Sequence, residues 1–61
     1  IPEGAEIIFL PQSDPELCQE NLRLGKEREQ EGRPVAYINI ELVPEIRTVF
    51  VPRLKLAKVA V

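Results

Sequence analysis

SDPELCQENLRLGKEREQEG, residues 13–32, decides the fold of this chain, because it contains one helix together with its start signal. Ser13 and Glu16 have the spacing of a capping box, in which each side chain bonds the backbone N–H of the other residue. In an alternative frame, Asp14 is the N-cap residue and Pro15 takes the first helical position, where its missing N–H costs nothing. Both frames predict a helix that begins within one residue of Asp14.

The two halves of this helix differ in character. The first half has a narrow stripe that ends at Leu24, with Leu17, Cys18, Asn21 and Leu22 as its other members. Gly25 then weakens the helix by roughly 1 kcal/mol relative to Ala. Residues 25–31 are wholly polar apart from that glycine, and Gly32 is a typical residue to end a helix. We therefore expect the second half to be solvated or to face a partner.

Apolar runs with strand character lie on both sides of the helix. Ala5 to Leu10 predicts a first strand that is buried on both faces and ends at Pro11, because alternation is poor and proline cannot donate to a ladder. Val35 to Leu42 alternates clearly and predicts a second strand. Pro44 suits the first central position of a β-turn, so we expect residues 43–45 to turn the chain.

The rest of the chain continues the strand pattern. Ile46 to Val51 predicts a third strand, which Pro52 closes. Residues 53–61 alternate with a slip near Ala57, which favours a strand, although Leu, Lys and Ala are also good helix formers. The predicted fold class is therefore α+β: a small β-α-β-β(-β) unit with one helix packed on one face of a mixed three- to four-stranded sheet.

A single helix can cover only one face of such a sheet. In the second strand, Ala36, Ile38, Ile40 and Leu42 share one face, which we expect the helix to cover. The opposite face then shows four apolar side chains, too many for comfortable exposure. These are Val35, Tyr37, Val49 and Val51. The pattern predicts an oligomer that forms through sheet faces or sheet edges.

Length and composition set the outer limits. The chain has 61 residues, with 44% hydrophobic and 30% charged side chains, which predicts one globular domain over residues 1–61. A chain this short is marginally stable alone, and residue 1 is Ile, so we expect a piece of a longer chain or of an oligomer. One Cys and no His exclude an internal disulfide and a Cys/His zinc site, and we expect no cofactor. We expect a cytoplasmic protein with no membrane span.

Charge is distributed unevenly along the chain. Residues 1–31 contain eight acidic and three basic side chains, whereas residues 32–61 contain two acidic and five basic ones. Opposite charges on two surfaces can orient one copy of a protein against another copy or against a larger protein. The sequence therefore allows electrostatic pairing between chains, in addition to apolar contact.

Residue types that carry catalysis are scarce. Cys18 lies near the helix start, but it belongs to the apolar stripe and has no His to activate it, so we expect an inert thiol. The glutamate pairs Glu16/Glu20 and Glu27/Glu31 fall on exposed helix faces, where such residues ordinarily serve solubility. We therefore expect no enzymatic activity.

Two further features point to other classes of protein. The last third of the chain contains the basic cluster Arg47, Arg53, Lys55 and Lys58, which predicts a nucleic-acid-binding regulator as the alternative. In length, element order and the position of Pro2, the chain also resembles the small tautomerases. That resemblance implies a catalytic amino-terminal proline, whose amine Ile1 would block here.

The favoured interpretation is a non-catalytic module for protein–protein interaction or oligomerisation. Its partner is itself or a larger protein. Sheet edges at Val35–Leu42 or Arg53–Val61 could add to a partner's sheet. The candidate partner-binding residues are Val35, Tyr37, Val49, Val51, Arg53 and Lys55.

Overall fold

One helix lies on one face of a three-stranded sheet in the computed structural model, which describes residues 1–46 and 49–61. The elements are β1 (Glu6–Pro11), α1 (Pro15–Gln30), β2 (Val35–Glu45) and β3 (Val49–Ala60). Their order in the sheet is β1-β2-β3, with β2 parallel to β1 and antiparallel to β3. This arrangement confirms the predicted α+β class with a mixed sheet, and the described residues form three strands.

Both ends of α1 follow from local sequence. The Oδ1 atom of Asp14 accepts the backbone N–H of Leu17 at 3.1 Å, so the N-cap is Asp14 and Pro15 takes the first helical position. At the other end, Gly32 has a left-handed φ of 81°, and its N–H donates to the carbonyl of Glu29 at 2.9 Å. This glycine therefore ends the helix in a Schellman motif, as the sequence predicts.

The helix covers the opposite sheet face from the one predicted. Val35 and Tyr37 have no exposed surface, and they pack with Ile8 and Leu10 beneath α1. The expectation that Val35 and Tyr37 face outward is therefore wrong. Both faces of β2 are apolar at these positions, so alternation alone could not select between them.

β1 is buried on one face only. Ile8 and Leu10 are buried under the helix, whereas Ile7 and Phe9 are 43% and 44% exposed on the opposite face. The prediction of burial on both faces was wrong, because no second layer of the described residues covers that side of the sheet.

β2 continues through the segment that was expected to turn. The carbonyl of Pro34 accepts the N–H of Glu6 in β1, and the carbonyl of Ile40 accepts the N–H of Gln12, the residue after β1. The peptide groups of the even-numbered residues in β2 therefore point toward β1. Pro44 belongs to this set and lies beyond the last residue of β2 that pairs with β1. Its missing N–H therefore removes no ladder bond, and the turn prediction at residues 43–45 was wrong.

β3 likewise runs through Pro52, which was expected to end a strand. Pro52 pairs with Leu42, whose peptide groups face away from β3, so the missing donor of Pro52 faces the free edge. The predicted third strand and the tail are therefore one strand. The register shift opposite Tyr37 and Ile38 leaves Ala57 as an extra residue, which confirms the predicted slip. Of the predicted third strand, Ile46 lies in a turn, and Arg47 and Thr48 lie outside the described residues.

Candidate functional site

The fold has two layers and an elongated shape. The Cα atoms span 44 × 25 × 12 Å, and their radius of gyration is 13.1 Å. A compact domain of this length would have a radius of gyration of about 10.5 Å. The helix supplies one layer and the sheet the other, which leaves one entire sheet face without a covering element among the described residues.

That uncovered surface, here called the open face, is formed by the side chains that alternation directs away from α1. The registers of both strand pairs place every member on the same side of the sheet. All of them are apolar, and none carries a charge. The open face consists of Ile7, Phe9 and Pro11 from β1, Ile38, Ile40, Leu42 and Pro44 from β2, and Phe50, Pro52, Leu54, Leu56 and Val59 from β3, whereas Ala36 of the same row is fully buried.

The open face is large for a chain of this size. Leu42 and Leu54 are 52% and 62% exposed, and Phe50 is 58% exposed. A fully exposed aromatic side chain offers about 150–250 Å², so Phe50 alone leaves on the order of 100 Å² in solvent. The six aliphatic and aromatic members that are at least 43% exposed together leave on the order of 600 Å², the upper end of what monomeric proteins expose in one apolar patch. In other proteins, exposed apolar patches of this size are often sites of interaction.

Part of the open face lies on a two-stranded extension. β1 pairs with β2 only as far as Ile40, so residues 41–45 and 49–53 form a hairpin arm with no third strand. The other face of the arm is mixed, because Val49 and Val51 are exposed there beside Glu41, Glu45 and Arg53. An isolated two-stranded hairpin is at best marginally stable in water. The arm is therefore the part of the sheet with the least support from neighbouring strands.

The polar half of the helix contacts the sheet along one side, whereas Lys26, Glu27, Gln30 and Glu31 are exposed to solvent, as expected. Gly25 is buried, and a Cβ atom at this position would lie 2.5 Å from the Tyr37 ring. Glycine is therefore required here so that the ring can pass beneath the helix. The Tyr37 hydroxyl donates a hydrogen bond to the Glu29 carboxylate. Burial first, and then this bond, raise the pKa of Tyr37 to about 12.

A charge cluster closes the end of the helix against β1. The Glu6 carboxylate accepts from Arg33 Nη1 at 2.8 Å and from Arg28 Nε at 3.2 Å. The bond from Arg33 is the main cause that lowers the pKa of Glu6 below its usual value. These contacts satisfy charges within the fold, so this cluster stabilises the chain and offers no reactive group.

The candidate partner-binding residues separate into two groups. Val35 and Tyr37 are buried under α1 and cannot contact a partner, because each is 0% exposed. The other four candidates are exposed on the side of the sheet that carries α1, but the helix does not cover them. They are Val49, Val51, Arg53 and Lys55. Binding through these four remains a prediction.

The two predicted sheet edges also differ. β2 lies between β1 and β3, so the Val35–Leu42 segment has a strand on each side for most of its length and was wrongly predicted as an edge. β3 is an edge strand, which places Arg53 to Ala60 at the border of the sheet. Only the second predicted edge can therefore accept an added strand.

The basic cluster lies on the helix side of β3. Arg53 is directly opposite Glu41, and the Lys58 ammonium lies 5.3 Å from the centre of the Tyr37 ring. Arg47, the fourth member of the predicted cluster, lies outside the described residues. The described basic side chains are thus on the opposite side of the sheet from the open face.

The residues considered for chemistry do not converge. Cys18 is half-buried, with Gln12 Nε2 3.8 Å from its sulfur. The glutamate pairs of the helix are exposed, and the described residues contain no group of three or more potential metal ligands. Pro2 is exposed before a turn, and its carbonyl accepts the N–H of Ala5 at 3.2 Å. No helix in the described ranges is long and apolar enough to cross a membrane.

Sequence reasoning missed the open face because it assigned the helix to that side. One signal was available: Gly25 is the only glycine inside the helix, and Tyr37 is the only residue of the second strand with a large ring. A glycine in a helix that packs on a sheet indicates close approach of a bulky neighbour. This pairing would have placed the helix over Tyr37.

Comparison with known proteins identifies a family without adding a function. No curated protein and no solved structure matches the chain. Residues 1–52 match a protein family that is described as "Family of unknown function (DUF5647)". Because the match covers most of the sequence, the chain belongs to this family.

Proposed function

We propose that this protein is a non-catalytic protein–protein interaction module, and that its open face is the binding surface. The observation that carries the proposal is the uncharged and contiguous apolar face on one side of a two-layer fold. Aromatic and aliphatic side chains supply most of the binding free energy at protein interfaces, and Phe9, Phe50 and Leu54 are exposed there. Because the core is small, covering this face would also increase the stability of the chain by adding buried apolar surface.

The contrast between the two sides of the sheet supports this assignment. The side that carries α1 has charged side chains, some of which pair within the chain, as in the Glu6 contacts with Arg28 and Arg33. The open face has no polar side chain that needs a hydrogen-bond or charge partner. Covering it therefore lowers the free energy only by removing apolar surface from water. A protein surface satisfies this requirement better than a polar ligand or a nucleic-acid backbone does.

Site-specific photocrosslinking in cells that make the protein tests the proposal. Phe9 is replaced by the photoreactive amino acid p-benzoylphenylalanine, which keeps an aromatic side chain on the open face. The matched control carries the same amino acid at Gln19, which is exposed on the helix. We expect an adduct of protein mass from position 9 and none from position 19. Absence of an adduct at position 9, or equal adducts at both, would refute the proposal.

The nucleic-acid alternative predicts a different result. Binding through the basic side of β3 would depend on Arg53 and Lys55 and would weaken steeply with salt. The double substitution Arg53→Glu and Lys55→Glu would then abolish retention on single-stranded or duplex nucleic acid. The interaction proposal expects no such retention in the unaltered protein at physiological salt, and salt-sensitive retention that these substitutions remove would favour the alternative.

A further inference from the structure

We infer that the partner on the open face is a second copy of this chain, bound face to face as a closed two-fold dimer. The inference rests on the proposed function and adds the identity and geometry of the partner. Three features of the described residues carry it: the sheet edges, the lack of charge on the open face and its area.

The edges of the sheet disfavour strand addition by a second copy. On β3, the missing N–H of Pro52 faces the free edge, and proline there is a common protection against edge pairing. Arg53 and Lys55 lie in one row of the same strand. Antiparallel pairing of β3 with its own copy about Leu54 would place these like charges opposite each other, which is destabilising.

The opposite edge is also a poor site. β1 has only six residues and ends in Pro11, and short edge strands resist pairing. Pairing β1 of one copy with β3 of another would be a head-to-tail contact, which forms open filaments unless the rotation closes a ring. Association through the edges is therefore disfavoured on both sides of the sheet.

The open face, by contrast, can meet a copy of itself. A two-fold interface brings the same patch together from both copies, so any charge near the axis would face its own like charge. The open face carries no charge, and its apolar side chains are compatible with such contact in any register. The charged rows of both copies then remain on the outer sides in water.

The area agrees with a dimer. Including its partly covered side chains, the open face approaches the roughly 800 Å² that each partner contributes to a standard stable interface. Two sheets packed face to face lie about 10 Å apart. The resulting dimer has four layers, helix–sheet–sheet–helix, and each hairpin arm contacts the other copy through Leu42 and Phe50.

Light scattering of the purified chain, with matched variants, tests this inference. We expect twice the monomer mass for the unaltered chain and for Lys55→Glu, which changes an exposed residue on the helix side of β3. Leu54→Glu places a charge on the open face and should raise the dissociation constant at least 100-fold, which yields a monomer. A monomeric unaltered chain, or a dimer that Lys55→Glu dissociates and Leu54→Glu does not, overturns the inference.

A second measurement removes dependence on the fold of the glutamate variant. The purified chain with p-benzoylphenylalanine at position 9 should form a covalent adduct of twice the chain mass, and the variant modified at position 19 should not. Failure of this adduct overturns the face-to-face dimer. If an adduct with another protein still forms at position 9 in cells, the proposed function stands and only the identity of the partner is wrong.

Discussion

At the residue scale, the close approach of Gly25 and Tyr37 sets where the helix lies on the sheet. Glycine lowers helix propensity by about 1 kcal/mol, yet only a residue without a Cβ atom admits the ring at this distance. The hydroxyl then reaches the Glu29 carboxylate one turn further along the helix. A local cost in propensity therefore allows burial of the largest side chain in the core.

Gly25→Ala should destabilise the chain by about 1–3 kcal/mol, because overpacking outweighs the gain in helix propensity. Urea unfolding measures this difference. Lys26→Ala, at the adjacent exposed position, is the control and should change stability by less than about 0.5 kcal/mol. In a Tyr37→Leu background, the same glycine substitution should be neutral or stabilising. A gain in stability from Gly25→Ala in the unaltered chain would contradict this account.

The buried Tyr37 hydroxyl should also make stability depend on alkaline pH. The pKa of Tyr37 is about 12 in the folded chain and about 10 in an unfolded one. Below pH 10 the hydroxyl is neutral in both states, and its contribution is fully present. As pH rises from 10 to 12, only the unfolded state loses the proton, so the contribution is lost.

Comparison with Tyr37→Phe isolates this effect. The phenylalanine variant lacks the ionisation, whereas the lysines titrate in both proteins and cancel in the difference. We expect the unaltered chain to be more stable at pH 8 and the advantage to shrink at about pH 11.5, as measured by urea unfolding. An advantage of the same size at both pH values would show that the hydroxyl does not titrate as described.

At the element scale, the helix is the part that sequence predicts best. Its start, its end and the slip at Ala57 in β3 follow from local rules, because caps and alternation act within a few residues. The prolines misled prediction, since Pro44 and Pro52 interrupt strands only where their N–H would face a neighbouring strand. Which side of a strand a peptide group faces depends on neighbours that are distant in sequence.

The helix start provides a direct test at this scale. Asp14→Ala should destabilise the chain by about 1 kcal/mol, because the N–H of Leu17 loses its acceptor. Ser13→Ala is the matched control and should have little effect, since the side chain of Asp14 already caps the helix. Chemical denaturation followed by circular dichroism measures both. A larger loss of stability from Ser13→Ala than from Asp14→Ala would indicate that Ser13 is the N-cap residue, as in the capping box.

At the scale of the whole molecule, sequence predicts the class of fold, but not which face of the sheet the helix leaves uncovered. Both rows of β2 are apolar where the helix crosses it, so Val35 and Ile38 are equivalent in pattern. The choice between them depends on the fit of Tyr37 beneath Gly25, which is a tertiary contact. If the covered face of this one strand is predicted wrongly, the candidate interface is therefore placed on the wrong side of the sheet.

If two chains share their open faces, stability should depend on protein concentration. Folding and association are then coupled, and dilution favours the unfolded monomer by mass action. Each tenfold increase in total concentration should add about 1.4 kcal/mol per mole of dimer to the apparent free energy of unfolding. Urea midpoints measured from about 1 µM to about 100 µM should therefore rise steadily for the unaltered chain and for Lys55→Glu.

Leu54→Glu separates this coupling from ordinary changes in stability. A monomer of this variant unfolds at a midpoint that concentration does not change, because no second chain enters the equilibrium. Its side chain lies outside the core that α1 covers, so circular dichroism should still report one helix and a sheet. A constant midpoint in the unaltered chain over the same range would mean that the two-layer fold is stable alone, and that its apolar face does not pair with a copy of itself.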